Sequence, residues 1–156
     1  MKNKVLLVLH LPEPVHGSSI VGKCIKDSVR INTEFNSRYI NLGTSKSIEE
    51  IGKNPFGKII VYFKIILNTL HQLLIFKPDL FYLAITAKGI GFYKDLIIVF
   101  LAKLFGVKLV LHFHNKGVQA NSHKKIDDFL YRFAFNKAKV ILLTKYLYSD
   151  IEKYVS

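Results

Sequence analysis

The sequence predicts an α/β fold: one three-layer domain in which helices cover a parallel, doubly wound sheet. Three observations carry this. Short runs at 5–10, 38–42, 80–85, 107–112 and 139–143 have strand character and alternate with segments whose apolar residues recur at helical spacing. Strands joined through helices pair in parallel, with right-handed crossovers. Half of the 156 residues are hydrophobic and the mean hydropathy is +0.24, which suits a sheet buried on both faces.

Residues 5–10 read as the first strand. A basic flank precedes this run, but Pro12 and Pro14 follow at once and no small-residue cleavage site comes after it. A strand is therefore expected rather than a signal peptide. Residues 11–17 form a loop. Ser18 and Ser19 offer caps for a helix running to about residue 32, with Ile20, Val21, Cys24, Ile25 and Ser28 as its buried stripe. The second strand is 38–42. Residues 43–54 are polar, a loop with a helical turn. Pro55 suits the first turn of a long helix over 56–76. Ile59, Ile60, Phe63, Ile66, Leu67, Leu70, Leu73 and Leu74 share one broad face of it, opposed by Lys58, Tyr62, Thr69 and Gln72.

Lys77-Pro78-Asp79 breaks that helix and opens the third strand, 80–85. A glycine-containing loop, 86–91, leads to a helix that Gly106 ends after residue 105. The fourth strand, 107–112, is followed by a loop over 115–122 and a helix over 123–136. The fifth strand is 139–143, and Thr144 starts a short helix over 146–154. A strand order of 3-2-1-4-5 would make strands one and four neighbours, with the topological switch point between them. The loops that follow those two strands would then flank one crevice.

Composition narrows the function classes. A single cysteine, Cys24, forms no internal disulfide and fits a reducing, cytoplasmic setting. No stretch of about 18 uninterrupted apolar residues occurs, so no transmembrane helix is expected. The nearest candidate, 59–76, carries Lys64, Asn68, His71 and Gln72. The net charge of +12 favours anionic partners: nucleotide-sugars, phospholipid surfaces or nucleic acid. The lysines are spread along the chain without a basic tract or interleaved aromatics, so nucleic acid is not expected as a partner. The two very apolar helices, 56–76 and 92–105, either cover the sheet or lie against an anionic membrane surface.

Four of the six histidines (His10, His16, His112, His114) sit at or just after two strand ends. The run Val107-Lys108-Leu109-Val110-Leu111-His112-Phe113-His114-Asn115-Lys116-Gly117 changes abruptly from apolar to titratable, as a parallel strand does at a ligand crevice. His114 can serve as base or substrate clamp. His112, two residues back on the same face, is either part of the site or a core histidine. Asn115 and Lys116 complete the loop. His16-Gly17-Ser18-Ser19 is either an anion-binding helix start or an ordinary serine-capped turn. It is neither the Gly-x-Gly-x-x-Gly fingerprint nor a phosphate loop. Lys88-Gly89-Ile90-Gly91 either contacts phosphate and sugar hydroxyls or simply connects. No metal is expected, because no acidic or cysteine ligand stands close to His112 and His114 in sequence.

With these loops in place, the chain resembles the N-terminal, acceptor-binding half of a glycosyltransferase family 4 enzyme. Such enzymes have the GT-B fold of two Rossmann-like domains. Three stretches carry the resemblance: Pro12-Glu13-Pro14-Val15-His16-Gly17-Ser18-Ser19, Leu109-Val110-Leu111-His112-Phe113-His114-Asn115, and Val140-Ile141-Leu142-Leu143-Thr144-Lys145-Tyr146-Leu147. It implies transfer of a sugar from a nucleotide-sugar donor to a hydroxyl of a glycan or lipid-linked acceptor, with retention at the anomeric carbon. Cell-envelope or exopolysaccharide synthesis is the expected setting. No cofactor and no bound metal are implied. His114 matches the family's active-site histidine, contacting the transferred sugar. Gly17 matches the loop glycine beside donor phosphate and acceptor. The family often has two adjacent glycines there, and here the first is His16.

Residues 1–156 then correspond to one Rossmann-like domain. The nucleotide-sugar-binding C-terminal domain of the family is absent from them, and the expectation is that the chain is inactive alone. Its partner would be that missing domain or a partner subunit, at the cytoplasmic face of a membrane. The competing readings are a non-catalytic α/β binding or scaffold module, one subunit of a split transferase, and an independent small α/β enzyme. The last lacks a Gly-x-Ser-x-Gly elbow, and Cys24 falls on a helix stripe rather than at a strand end.

Overall fold

Five runs of the chain become strands: β1 (Lys4–Leu9), β2 (Asn36–Asn41), β3 (Leu80–Ile85), β4 (Lys108–Phe113) and β5 (Ala138–Leu142). In this computed structural model, which describes residues 2–44 and 55–155, they form one all-parallel sheet flanked by helices. The order is β2-β1-β3-β4-β5, not the expected 3-2-1-4-5. The reason is legible in burial. β3 (Leu-Phe-Tyr-Leu-Ala-Ile) is apolar throughout and buried, as an interior strand must be, while β2 (Asn-Ser-Arg-Tyr-Ile-Asn) is polar and mostly exposed, as an edge can be. β1 and β4 are therefore not neighbours. The loop clusters that follow them do not flank one switch point in the way the assumed order implied.

The chain divides into two compact units, Met1–Tyr82 and Leu83–Ser156. In the first, β1 and β2 pair in register from Lys4 with Asn36 to Leu9 with Asn41, and Val5 to Leu9 are buried. Helix α1 (Gly17–Lys26) packs on the end of β1 through Gly22, where an added Cβ would stand 1.9 Å from the His10 carbonyl oxygen. Its buried positions are Ser19 and Gly22 rather than the stripe of Ile20, Val21, Cys24, Ile25 and Ser28; Ile20 and Cys24 are exposed. The helix also stops short of residue 32. Ser28 caps a second helix, α2 (Val29–Glu34), its hydroxyl accepting the Ile31 N–H at 3.3 Å.

Helix α3 (Pro55–Ile75) has the expected extent, and its orientation is the reverse of what its pattern suggests. Tyr62, Ile65 and Thr69 are buried, with Phe76 just beyond the helix end; of the broad apolar face Leu73 is buried, whereas Ile59, Ile60, Phe63, Leu67 and Leu74 are exposed. Two local interactions fix this choice. The buried Thr69 hydroxyl donates to the Ile65 carbonyl at 2.8 Å, which removes most of the cost of burying it. Arg38 of β2 donates to Gln72 at 2.7 Å and lies 4.3 Å over the Phe76 ring. Residues 57–75 are long and apolar enough to cross a membrane by length and composition only. The polar segment expected to be a loop lies, over 45–54, outside the described residues.

In the second unit, β4 and β5 pair from Leu109 with Ala138 to Phe113 with Leu142. Helix α4 (Gly89–Leu104) buries Phe92, Leu96, Ile98, Val99 and Ala102, and Gly106 follows it at φ +65°. The segment expected to be a loop, 115–122, contains one helical turn, α5 (Val118–Asn121). It precedes α6 (Lys125–Phe135), which places Asp127 and Asp128 in its first turn. The last helix is broken into 3-10 turns around α7 (Tyr148–Ile151). Ring contacts bind these pieces together: Phe113 stacks on Phe135 and Phe135 on Tyr154, while Phe92 meets Tyr131 at a tilt.

Candidate functional site

The polar loop after β1 is organised around His16. The expected caps were Ser18 and Ser19, but His16 itself is the N-cap of α1. Its Nδ1 accepts the Ser19 N–H at 3.4 Å, and Ser19 Oγ in return accepts the His16 N–H at 2.9 Å. Ser19 is fully buried, and its hydroxyl lies 3.0 Å from the Pro14 carbonyl oxygen as a donor. Ser18 Oγ lies 3.4 Å from His16 Nδ1, and the His10 and His16 rings meet edge-on with centroids 5.3 Å apart. Gly17 has open space at its Cα. Asn41, at the end of β2, joins the neighbouring strand end by accepting the Leu11 N–H at 3.0 Å and the Gly43 N–H at 2.9 Å.

The second unit brings Lys88, His112, His114, Asn115 and Lys116 together at the carboxyl ends of β3 and β4. β4 runs one residue beyond expectation, so His112 lies inside the strand and His114 is the first residue after it. Their rings pack with centroids 4.1 Å apart. Asn115 Oδ1 accepts the Ala87 N–H at 3.1 Å, tying the β4 loop to the β3 loop. Gly117, at φ +149°, is glycine for two reasons. Its backbone is in the region a side chain avoids, and an added Cβ would meet Lys88 Cδ at 2.5 Å. The Lys88 stem therefore lies across Gly117, and its residue, like Asn115 and Lys116, is exposed.

This platform has its own foundations. Asp95 accepts the Thr86 N–H at 2.8 Å, and the Tyr131 hydroxyl donates to the Ala87 carbonyl at 2.8 Å. Asp150 accepts the N–H groups of Gly117, Val118 and Gln119 at 2.8, 2.9 and 3.2 Å. The protein's own carboxylate thus takes the backbone donors that an anion would use there. Lys88 and Lys116 stand exposed on either side of this loop's start.

Burial sets the charge state. His112 is 7% exposed, and desolvation, helped by His114 beside it, pushes its pKa down to about 4. It is neutral at pH 7. Burial pushes the Asp95 carboxyl up to about 6, against the Thr86 hydrogen bonds that favour its ionised form. Among the described residues, no group of three His, Cys, Asp or Glu side chains could hold a metal.

Asp95, Tyr131, Asp150, Asn41 and Gly22 were not singled out in the sequence. Asp95 had a signal, as the one carboxylate in the apolar run 89–105. Asp150 had none, because its partners lie more than thirty residues earlier in the chain. No protein-family model, curated protein or solved structure matches the chain.

Proposed function

We propose that this chain is the acceptor-binding half of a retaining glycosyltransferase that moves a sugar from a nucleotide-sugar to an acceptor hydroxyl, inactive without a nucleotide-binding half. What carries the reading is the cluster of Lys88, His114, Asn115 and Lys116 at the carboxyl ends of β3 and β4, where parallel sheets place ligand chemistry. In this reading His114 contacts the transferred sugar, and neutral His112 supports it without adding charge. Lys88 and Lys116 face the donor's phosphates or an anionic acceptor. Asn115 holds the two loops together. Gly17, uncrowded at its Cα, leaves the helix start open to a phosphate or sugar, with His16 and Ser18 beside it.

The setting proposed is the cytoplasmic side of a membrane, in glycan or exopolysaccharide assembly. A second reading, a non-catalytic binding module, draws on Asp150, which occupies the backbone donors of the β4 loop. The deciding experiment combines purified 1–156 with a nucleotide-binding half, supplied by longer chain or by a partner, and a panel of nucleotide-sugars. The expected result is no turnover by 1–156 alone and turnover on combination that His114→Ala lowers about a hundredfold. Turnover by the isolated chain would overturn the half-site reading. Unchanged turnover with His114→Ala would leave the binding module.

A further inference from the structure

A cleft of about 900 Å³ opens at the amino ends of β1 and β2, within the first unit. Lys2, Lys4, Phe35, Asn36, Lys77 and Asp79 are among the residues that line it. Three segments of chain meet there, and hydrogen bonds hold them together. The Asn36 N–H donates to the Asn3 carbonyl at 2.9 Å, which fixes the start of β2 on the start of β1. The turn before β3 is clamped twice. The Asp79 carboxylate accepts the Lys4 N–H at 2.8 Å, and the Asp79 N–H donates to the Lys4 carbonyl at 2.9 Å. The walls of the cleft are therefore fixed before any ligand arrives.

Charge at this cleft is one-sided. Three lysines stand against one carboxylate, that of Asp79. Among the described residues, Lys2 and Lys77 form no ion pair. Lys4 Nζ lies 5.7 Å from the centroid of the Phe76 ring. Lys77 follows α3 at φ +50°, a left-handed position that glycine takes without strain. A cation there also meets the negative end of α3. That accounts for one lysine and not for Lys2 and Lys4, which come from another segment. A cleft lined by one sign of charge concentrates the opposite ion.

We infer that this cleft binds a diphosphate-bearing ligand. Three ammonium groups less one carboxylate leave a surplus of two positive charges, which a diphosphate meets. The cleft is also roomier than two phosphates require and falls in the range of small-molecule sites, roughly 300–1,000 Å³. Phe35 and Asn36 on its wall supply a ring and an amide for an attached base or sugar. The His16 loop follows the other end of β1, about 16 Å away along the strand. The inference is therefore independent of the transferase reading.

The test is calorimetric titration of the full chain, at fixed ionic strength, with inorganic diphosphate, with ADP and with sulfate. Diphosphate should bind at least about tenfold more tightly than sulfate. The double variant Lys2→Gln/Lys77→Gln, at two exposed positions, should keep the native melting curve and lose more than about tenfold in affinity. Asp79→Asn keeps an acceptor for the Lys4 N–H and removes the one opposing charge, so binding should tighten roughly threefold. Lys88→Ala should leave diphosphate binding to this chain unchanged. ADP that binds more tightly than diphosphate, and loses that advantage in Phe35→Leu, supports the inference with a nucleotide as ligand; equal binding supports it with the free diphosphate. The absence of saturable binding, or undiminished binding by the double variant, would overturn the inference. So would a loss caused by Lys88→Ala and not by the double variant, since that moves the binding to the loops after β3 and β4.

Discussion

The Asp150 carboxylate accepts the backbone N–H of Gly117 at 2.8 Å across thirty-three residues of chain. With Val118 and Gln119 held by the same side chain, the last helix of the chain fixes the loop that presents His114, Asn115 and Lys116. The position of the site's most polar loop is thus set by a residue that contributes no chemistry of its own.

Asp150→Ala should remove the acceptor from three N–H groups at once. A loss of about 3 kcal/mol is expected, with Asp150→Asn losing about 1 kcal/mol because one acceptor survives. Urea unfolding of the two variants measures the difference. Equal losses would mean that the side chain acts by packing.

Two glycines of α1 should behave oppositely. Gly22→Ala drives a methyl to within 1.9 Å of a backbone carbonyl and should cost about 3 kcal/mol or more. Gly17→Ala meets nothing within 4 Å and should leave the melting temperature unchanged. Gly17→Ala is therefore a clean probe of ligand binding at that loop, with any lost affinity free of a folding defect.

His112 and Asp95 should pull stability in opposite directions between about pH 4 and 6.5. His112 has a folded pKa of about 4 against an ordinary 6.5, so the unfolded state binds its proton first. Stability from this group falls as pH drops through that window. Asp95 has a folded pKa of about 6 against 3.8, so the folded state binds its proton first and gains stability as pH drops from 6 to 4, by about 2 kcal/mol. Asp95→Asn should raise the melting temperature above pH 6 and steepen the acid loss. His112→Gln should flatten that loss. Thermal melts from pH 4.5 to 7.5 check both, and parallel curves for the variants and the parent protein would refute the assignment.

Lys88→Ala should weaken binding of a nucleoside diphosphate by about tenfold while leaving the fold intact, because its residue is exposed and its stem only rests on Gly117. Calorimetry on the combined halves reads the affinity. Binding that is undisturbed would remove Lys88 from the site.

How far the sequence speaks for itself depends on the range of each interaction. β3 was legible to the residue, because Pro78 opens it and six apolar residues fill it. The polar stretch His112 to Lys116 at the end of the fourth strand was legible, but its meeting with the Lys88 loop was not, because the expected order set strands three and four two strands apart. The break between α1 and α2 turns on Ser28, which reads equally as stripe or as cap until the chain direction is known. The orientation of α3 was misjudged for a related reason. Periodicity reports which face is apolar, not which face meets the sheet, and Arg38 with Gln72 decides that from outside the helix. The strand order was open to correction from the sequence alone, since the polar run Asn36–Asn41 is poor material for an interior strand.

The two rims of the sheet are unlike. β2 closes its side with the exposed polar residues Asn36, Arg38 and Asn41, whereas β5 ends the other side with exposed Ile141 and only Lys139 to deter a neighbour. The β5 rim is therefore the easier one for a further strand to extend. Residues 138–142 are a readier template than 36–41 on which another extended segment can crystallise its hydrogen bonds. In concentrated solution, self-association of the lone chain should start at that rim, and one charge introduced at Ile141 is the smallest edit that would blunt it.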